Sequence, residues 1–278
     1  MSELNKQILV IEAGAADRNY WRDLWKYREL FLVLAWRDVS VRYKQTVVGL
    51  AWALIRPFIT MIVFTVIFGN LAKLPSEGAA PYALMVYAGL LPWQFFSQGL
   101  ADVGNSMVVN SHLVSKVYFP RMIVPVSTLV VSLIDFLISF IILVGLMLWF
   151  LYAPGWQILF LPFFLIMAVL AAIGPGLWLS SLNVKYRDFR YIIPFILQLG
   201  MYLSPVGFSS SVVPEQWRLL YSLNPMVGVI DGFRWSILGN EANFYMPGFI
   251  LSWLIIGFFL WLGIRQFRKT EKTFADII

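Results

Sequence analysis

Long apolar runs are the feature of this sequence that most limits what the chain can fold into. Six of them follow one another between residues 57 and 264, and most approach the roughly 20 residues that a helix needs to cross a bilayer. The 13% share of charged residues agrees, because soluble domains carry about 25%. We therefore predict an all-α integral membrane protein with six transmembrane helices. The predicted spans are Pro57–Leu71, Tyr82–Leu100, Ile123–Tyr152, Trp156–Leu182, Tyr191–Phe208 and Met246–Ile264. An earlier start of the first span, within Val47–Ile55, stays open.

Positive charge is distributed very unevenly between the segments that join these spans. The chain has 21 Lys and Arg residues, and all except Lys73, Arg218 and Arg234 fall on one side of the six-span topology. Because cytoplasmic loops are enriched in Lys and Arg, that side is assigned to the cytoplasm, with both termini there. The net charge of +6 is thereby attributed to the membrane, and no nucleic-acid partner is expected. The predicted parts are a cytoplasmic N-terminal segment (1–48), a membrane domain (49–265) and a cytoplasmic C-terminal tail (266–278).

The N-terminal segment combines basic residues with apolar residues at helical spacing. It has no continuous apolar run, so no cleavable signal peptide is predicted. Apolar side chains on one helical face, with basic side chains on the others, are typical of a helix lying in the membrane interface. We predict such an amphipathic helix; a solvated basic arm is the alternative. The apolar residues are Trp21, Leu24, Trp25, Leu32, Trp36 and Val39.

The segment between the fifth and sixth spans predicts two short helices. Pro214 and Pro225 each suit a first helical turn, and Asn224 can cap the second helix. The second helix has one apolar face, which includes Phe233. We predict a re-entrant helical hairpin that dips in from the outer side; a helical pair lying flat on the outer surface is the alternative. In either form, Pro214, Asn224, Pro225 and Phe233 are candidates for an outer gate.

Two further features interrupt the apolar spans. Asp135 is a carboxylate inside the third span, and an intramembrane carboxylate is a functional candidate because it is costly to bury. An acid held by interhelical hydrogen bonds to Ser or Thr, such as those on the same span, is the alternative. In the fourth span, Gly174-Pro175-Gly176 predicts a kink, because proline removes a backbone donor.

Aromatic residues are more numerous than two interfacial belts require, with 12 Trp, 12 Tyr and 23 Phe. Aromatic faces combine apolar contact with weakly polar rings, along which sugar rings can slide. We predict that some of them line a substrate conduit; lipid-facing bulk and the ordinary aromatic belts are the alternative. The candidates are Phe58, Phe64, Phe68, Tyr87, Trp93, Phe195 and Tyr202.

Sequence signatures of catalysis are missing. The chain has no Cys and one His, which leaves little for thiolate or imidazole metal sites. It has no G-x-x-x-x-G-K-[ST], no H-E-x-x-H and no G-x-S-x-G sequence. We therefore predict no catalytic residue, no metal site and no cofactor in this chain.

Short motifs are spread over nearly the whole chain. They are Arg37–Pro57, Leu113–Arg121 followed by Pro125, Asn183–Asp188, Ser204-Pro205-Val206, Asn224-Pro225 and Phe267–Asp276. Their order and spacing along the predicted topology make the set more specific than any one motif. Together they resemble the motifs of ABC-2-type polysaccharide export permeases.

The resemblance implies a homodimer in the bacterial inner (plasma) membrane, with two copies of a separate ATPase subunit docked on the cytoplasmic side. ATP and Mg would bind that partner. The cargo implied is a polysaccharide linked to a polyprenyl diphosphate lipid, with O-antigen preferred and teichoic acid or capsular polysaccharide as alternatives. An ion-coupled lipid flippase and an integral-membrane sugar or acyl transferase are the competing classes.

Two further sets of residues follow from this hypothesis. The loop after the second span is cytoplasmic and carries a short apolar strip that can seat on the ATPase. Basic residues at the inner mouth can bind the lipid diphosphate through charge-assisted hydrogen bonds, although the positive-inside rule alone also accounts for them. The expected coupling residues are Val108, Val109, Leu113, Val114, Lys116, Val117 and Arg121, and the expected diphosphate ligands are Arg37, Arg42, Lys44 and Arg56.

Overall fold

The computed structural model describes residues 20–44, 47–186, 188–242 and 244–274. Every regular element in those ranges is a helix. The helices are α1 (Tyr20–Lys26), α2 (Arg28–Lys44), α3 (Val47–Phe64), α4 (Tyr82–Val109), α5 (Ser111–Lys116), α6 (Ile123–Trp149), α7 (Leu161–Lys185), α8 (Phe189–Leu203), α9 (Glu215–Tyr221), α10 (Pro225–Leu238) and α11 (Met246–Thr270). A π-helical stretch, Thr65–Leu71, continues α3, and a 3-10 turn, Trp156–Phe160, leads into α7.

Four helical segments in the described ranges are long and apolar enough to cross a membrane. They are Ala51–Leu71, Ile123–Trp149, Trp156–Lys185 and Met246–Thr273, and they overlap the predicted first, third, fourth and sixth spans. The prediction of an all-α membrane protein is confirmed to this extent. α4 and α8 overlap the second and fifth spans, and their crossing of the membrane stays a prediction.

α4 is the central helix of the bundle. It packs mainly against α6 and α7, and also against α10. The stretch from Leu84 to Leu91 is almost completely buried, while Gln94, Gln98 and Asp102 follow towards the C-terminal end. Because protein rather than lipid surrounds most of α4, it tolerates polar residues that a lipid-exposed helix would not.

α7 and α11 touch through their backbones. A Cβ atom added to Gly174 would lie 2.7 Å from the backbone nitrogen of Leu260, and one added to Gly263 would overlap the carbonyl of Gly174. Only glycine lets the two helices approach this closely. α7 runs without a break through Pro175, at the place where the sequence predicts a kink.

The N-terminal helices leave large apolar side chains uncovered. α2 packs against α6 and buries Leu34 and Ala35, whereas Trp21, Trp25 and Trp36 are exposed. An exposed row of tryptophans is what a helix in the membrane interface presents to lipid. The interfacial position remains a prediction.

The two short helices predicted after the fifth span are present. α9 begins directly after Pro214, and α10 begins at Pro225, where the Asn224 side chain accepts a hydrogen bond of 3.0 Å from the backbone nitrogen of Met226. α10 is buried along nearly its whole length, whereas α9 has no buried residue. The pair is therefore packed into the protein through α10, and its arrangement as a re-entrant hairpin stays a prediction.

Candidate functional site

The predicted conduit residues fall into two groups. Phe58 on α3 and Phe195 and Tyr202 on α8 are exposed on the single chain. Phe64 is buried and Phe68 half-buried; their rings are 5.4 Å apart and pack against Gly207, in the linker between α8 and α9. Two faces of the chain, on α3 and α8, therefore present uncovered aromatic rings.

Tyr87 and Trp93 lie inside the chain. The Tyr87 hydroxyl donates to the backbone oxygen of Ser139 at 2.9 Å. The Trp93 ring packs closely against Gly200 of α8. Both side chains hold α4 to a neighbouring helix in this structure, and their conduit role stays a prediction.

Arg234 forms the centre of a buried ionic cluster at the predicted outer end of the bundle. It is 0% exposed, and its Nη1 lies 3.6 Å from Oε1 of Glu77, which is 2% exposed. Its guanidinium also donates to the backbone oxygens of Met85, Phe208 and Val206 at 3.2, 2.9 and 3.0 Å. Each of the three guanidinium nitrogens thus donates to an acceptor, as a buried guanidinium requires.

Hydrogen bonds to the cluster and beside it hold the linker between α8 and α9 in place. Ser209 donates to Glu77 at 2.7 Å, and Tyr82 donates to the backbone oxygen of Gly207 at 2.6 Å. Asn224 donates to the Ser204 hydroxyl at 2.8 Å. The predicted outer gate residues divide accordingly: Asn224 belongs to these contacts, Phe233 is buried in the core, Pro225 is half-buried and Pro214 is exposed.

Sequence analysis did not assign a role to this cluster. Arg234 was counted as an outer loop charge, and Glu77 and Asp231 were not singled out. The available signal was Asp231 and Arg234 one helical turn apart within an otherwise apolar helix. A charged pair in such a helix indicates burial against other polar groups.

Asp135 is held by the N-terminal helix. Arg42 Nη2 lies 2.5 Å from Asp135 Oδ2, and the Tyr43 hydroxyl donates to Asp135 Oδ1. Burial is the main cause that raises the pKa of the Tyr43 hydroxyl, and the hydrogen bond to Asp135 is the second. The hydroxyl therefore keeps its proton and remains a donor. Asp135 is thus held by contacts between helices, but its partners are Arg42 and Tyr43 of α2 rather than Ser or Thr.

Asp135 also lies close to a second carboxylate. One turn earlier on α6, Ser132 donates to Asp102 Oδ2 on α4 at 3.2 Å, and Gln98 donates to the other Asp102 oxygen at 2.9 Å. Asp135 is thus level with the polar end of α4. Asp135 lies inside the candidate span Ile123–Trp149, and its functional role stays a prediction.

Three further contacts connect the N-terminal helices, the predicted cytoplasmic loop and the C-terminal end of the chain with one another. Arg37 donates to Asn110 Oδ1 at 2.6 Å, and Tyr20 donates to Glu271 Oε2 at 2.9 Å. Arg121 donates to the backbone oxygen of Glu271. Burial and the Glu271 carboxylate raise the pKa of the Tyr20 hydroxyl, which therefore stays a donor.

The predicted diphosphate ligands differ in their availability. Arg37 and Arg42 are engaged with Asp38, Asn110 and Asp135. Lys44 and Arg56 are exposed. A role in binding diphosphate remains a prediction for all four residues.

The predicted coupling loop presents part of its apolar strip to the outside. Val108, Val109 and Val117 are 41%, 76% and 52% exposed. Val114 points into the core, and Leu113 is packed against it. Lys116 is exposed, and Arg121 is tied to the C-terminal end of the chain. We refer to Val108, Val109 and Val117 as the exposed valine strip.

The contact between α2 and α6 gives a first prediction. Replacing Asp135 by Asn is expected to loosen α2 while changing global stability little, on the order of 1 kcal/mol or less, because the Arg42 side chain is 40% exposed and solvent screens the pair. Hydrogen–deuterium exchange of the protein in nanodiscs should show faster exchange in α2 only. The exposed acid Glu215, replaced by Gln, is the matched control. Unchanged α2 exchange in the Asp135 variant would show that this contact does not hold the helix.

The helices described above define the class of protein to which the chain belongs. Apolar helices long enough to span a bilayer, arranged around a buried central helix, make this chain a multi-pass membrane protein. Comparison with known proteins then gives the family: residues 29–238 match the family model described as ABC-2 type transporter. The chain belongs to this family, which consists of transport permeases.

Curated relatives cover almost the full chain. An O-antigen export system permease protein RfbA of Klebsiella pneumoniae is 26% identical, over 90% of this chain and 95% of the relative. A protein of the same name from Myxococcus xanthus is 24% identical, over 92% of this chain and 98% of the relative. The inner membrane transport permease YadH of Escherichia coli K12 is 24% identical over 77% of this chain and 88% of its own length. Together with the apolar helices, these matches confirm the prediction of a multi-pass inner membrane protein.

Proposed function

We propose that this chain is the transmembrane subunit of an ATP-driven exporter that moves a polyprenyl-diphosphate-linked polysaccharide, in first place an O-antigen, across the bacterial inner membrane. The observation that carries this proposal is the family match over residues 29–238, together with relatives named O-antigen export permeases that align over nearly their whole length. A teichoic acid or capsular polysaccharide is the alternative cargo.

In the proposed topology, α4 and α8 complete six spans and both termini are cytoplasmic. The burial of most of α4 supports its role as a span, because a helix shielded by protein needs less apolar character than one exposed to lipid. The uneven distribution of Lys and Arg supports the orientation. α9 and α10 then form the hairpin at the outer side, next to the Arg234 cluster.

The proposed conduit lies between two copies of the chain. Support comes from the uncovered apolar faces of α3 and α8, where Phe58, Phe195 and Tyr202 are exposed. Large exposed apolar patches mark interaction surfaces, and a two-fold dimer would bring equivalent faces together.

Energy is proposed to come from a separate ABC ATPase that contacts the exposed valine strip. ATP binding in that partner can act on the cargo only if it biases a membrane element with two arrangements. The contacts of Arg37 with Asn110 and of Asp135 with Arg42 connect the strip's neighbourhood to α2 and α6. These contacts offer a route by which movement at the strip would reach the spans. Lys44 and Arg56, both exposed, are the first candidates to hold the diphosphate of the cargo.

Reconstitution with the ATPase tests the proposal. The chain, co-purified with its proposed ABC ATPase partner and placed in vesicles, is expected to transfer a lipid-linked glycan only when ATP is hydrolysed. Mass spectrometry of the retained glycan identifies the cargo. A complex whose ATPase lacks its P-loop lysine is the control. Transfer by the chain alone, abolished by a protonophore, would instead establish the ion-coupled flippase.

The aromatic conduit gives a separate prediction. Replacing Phe195 and Tyr202 together by Ala is expected to slow export of long glycans roughly fivefold or more, because each ring contributes a sliding contact worth about 0.5–1.5 kcal/mol. Initial export rates by the reconstituted complex provide the measurement. Phe258 and Trp261 on α11, equally exposed aromatic residues, are replaced by Ala as the matched control. Equal rates for the two double variants would count against the conduit.

A further inference from the structure

The predicted coupling loop is held at each end by a different part of the chain. At its start, Asn110 accepts a hydrogen bond of 2.6 Å from Arg37 of α2. At its end, Arg121 donates to the backbone oxygen of Glu271, in the turn that follows α11. Between these two anchors, Val117 of the exposed valine strip is uncovered. The loop therefore offers its middle to a partner while both of its ends are bound to other helices.

Tyr20 of α1 reinforces the second of these anchors. It is 6% exposed, and its hydroxyl donates to Oε2 of Glu271 at 2.9 Å. The same hydroxyl also interacts with the backbone of Met122, at the end of the loop. The Arg268 guanidinium lies over the Tyr20 ring, 4.8 Å from the ring centroid. One buried tyrosine thus contacts the coupling loop and the end of α11 at the same time.

The turn that carries Glu271 is a fixed part of the fold. It is a 3-10 turn, Glu271–Thr273, directly after α11. Phe274 follows it, is 0% exposed, and packs edge-on against Phe267 of α11 with the ring centroids 5.4 Å apart. α11 in turn is in backbone contact with α7. A displacement of the coupling loop is therefore resisted by α11 at this anchor and by α2 at Asn110.

We propose that Tyr20 and Glu271 are positioning residues for the coupling loop, which keep its second end in place when the ATPase moves against it. A loop held at one end can swing about that end, and part of the movement is then lost before it reaches the spans. A loop held at both ends passes the movement to two groups of helices. The proposal rests on the proposed function for the identity of the partner, whereas the holding of the loop is a property of this chain alone. Neither residue was given a role from the sequence.

Hydrogen–deuterium exchange of the full chain alone in nanodiscs tests the holding of the loop. Tyr20→Phe removes a single hydroxyl, and the amides from Val117 to Met122 should exchange roughly fivefold faster, because one net hydrogen bond is lost. Tyr186→Phe removes the same atom from an exposed tyrosine on the same predicted side of the membrane, and should leave this segment unchanged. Unchanged exchange in the Tyr20 variant, or an equal rise in all helices, would overturn the proposal.

The complex reconstituted with the ATPase separates positioning from general damage. In Tyr20→Phe, the KM for ATP should match that of wild type, while the glycan exported per ATP hydrolysed should fall at least about fivefold. Glu271→Leu should reproduce this loss, and the double variant should be no worse than either single one, because both changes remove the same contact. Glu271→Gln keeps an acceptor oxygen and should restore coupling.

Two outcomes of this second experiment have different meanings. Equal losses of ATP hydrolysis and export in the Tyr20 variant, with their ratio unchanged, would overturn the positioning role. A wild-type complex that exports no glycan would instead refute the proposed function, and the exchange of the chain alone would still decide whether Tyr20 holds the loop.

Discussion

Replacing Arg234 by Met is expected to destabilise the protein more than any other single change considered above. The substitution leaves the Glu77 carboxylate buried without its counter-charge and removes the donors to Met85, Val206 and Phe208. Breaking a buried ion pair from one side costs about 3–5 kcal/mol. For a chain of this size, that corresponds to a fall in melting temperature of roughly 6–12 °C or more, measured by intrinsic fluorescence of the purified protein.

Two further variants make this expectation specific. Lys73→Met removes an exposed positive charge from the same predicted side and should leave the melting temperature within about 2 °C. Adding Glu77→Gln to the Arg234 variant should restore part of the lost stability, because the uncompensated charge is then gone. A melting temperature for Arg234→Met equal to that of wild type would show that the cluster does not hold the outer end together.

Replacing the exposed valine strip by serine is expected to abolish coupling to the ATPase. Val108, Val109 and Val117 are uncovered in the single chain, and their replacement removes the apolar anchor of a docking surface without disturbing the core. The affinity for the ATPase should fall at least about tenfold, since a few buried apolar residues carry most of the energy of such contacts. Co-purification and ATP-dependent glycan transfer are the two measurements.

Val212→Ser provides the matched control, because this valine is comparably exposed but lies in the linker before α9. Insertion and melting temperature of the triple variant should match those of wild type, since none of its three side chains is buried. A triple variant that still binds the ATPase and supports transport would move the docking surface elsewhere on the chain.

Apolar patterning was sufficient to predict most of the helices. The predicted third span begins at Ile123, where α6 begins, and the predicted sixth begins at Met246, where α11 begins. Asn224 and Pro225 correctly located the start of α10, because capping and proline placement are local properties. Helix ends were less predictable: α4 continues to Val109 and α11 to Thr270, since polar residues extend a helix beyond the apolar run without any change of period.

The polar clusters could not be predicted in the same way. Glu77 and Arg234 are far apart in sequence, and only the packing of α10 against α4 brings them together. Asp135 was identified as unusual, but its partner Arg42 was predicted to bind diphosphate and Tyr43 was given no role, because the sequence does not say where α2 lies in the fold. Burial also could not be predicted within the coupling and conduit sets. Val114 and Tyr87 are of the same residue types as exposed members of their sets or close to them, and only the fold makes them buried.

The backbone contact between α7 and α11 determines which parts of the chain can move. With no side chains between Gly174 and Gly263, the two backbones are in direct contact, which leaves these helices little room to slide past each other. α8, in contrast, buries only Ile193 among its own residues. If the bundle opens during transport, the movement is therefore expected at α8 rather than between α7 and α11.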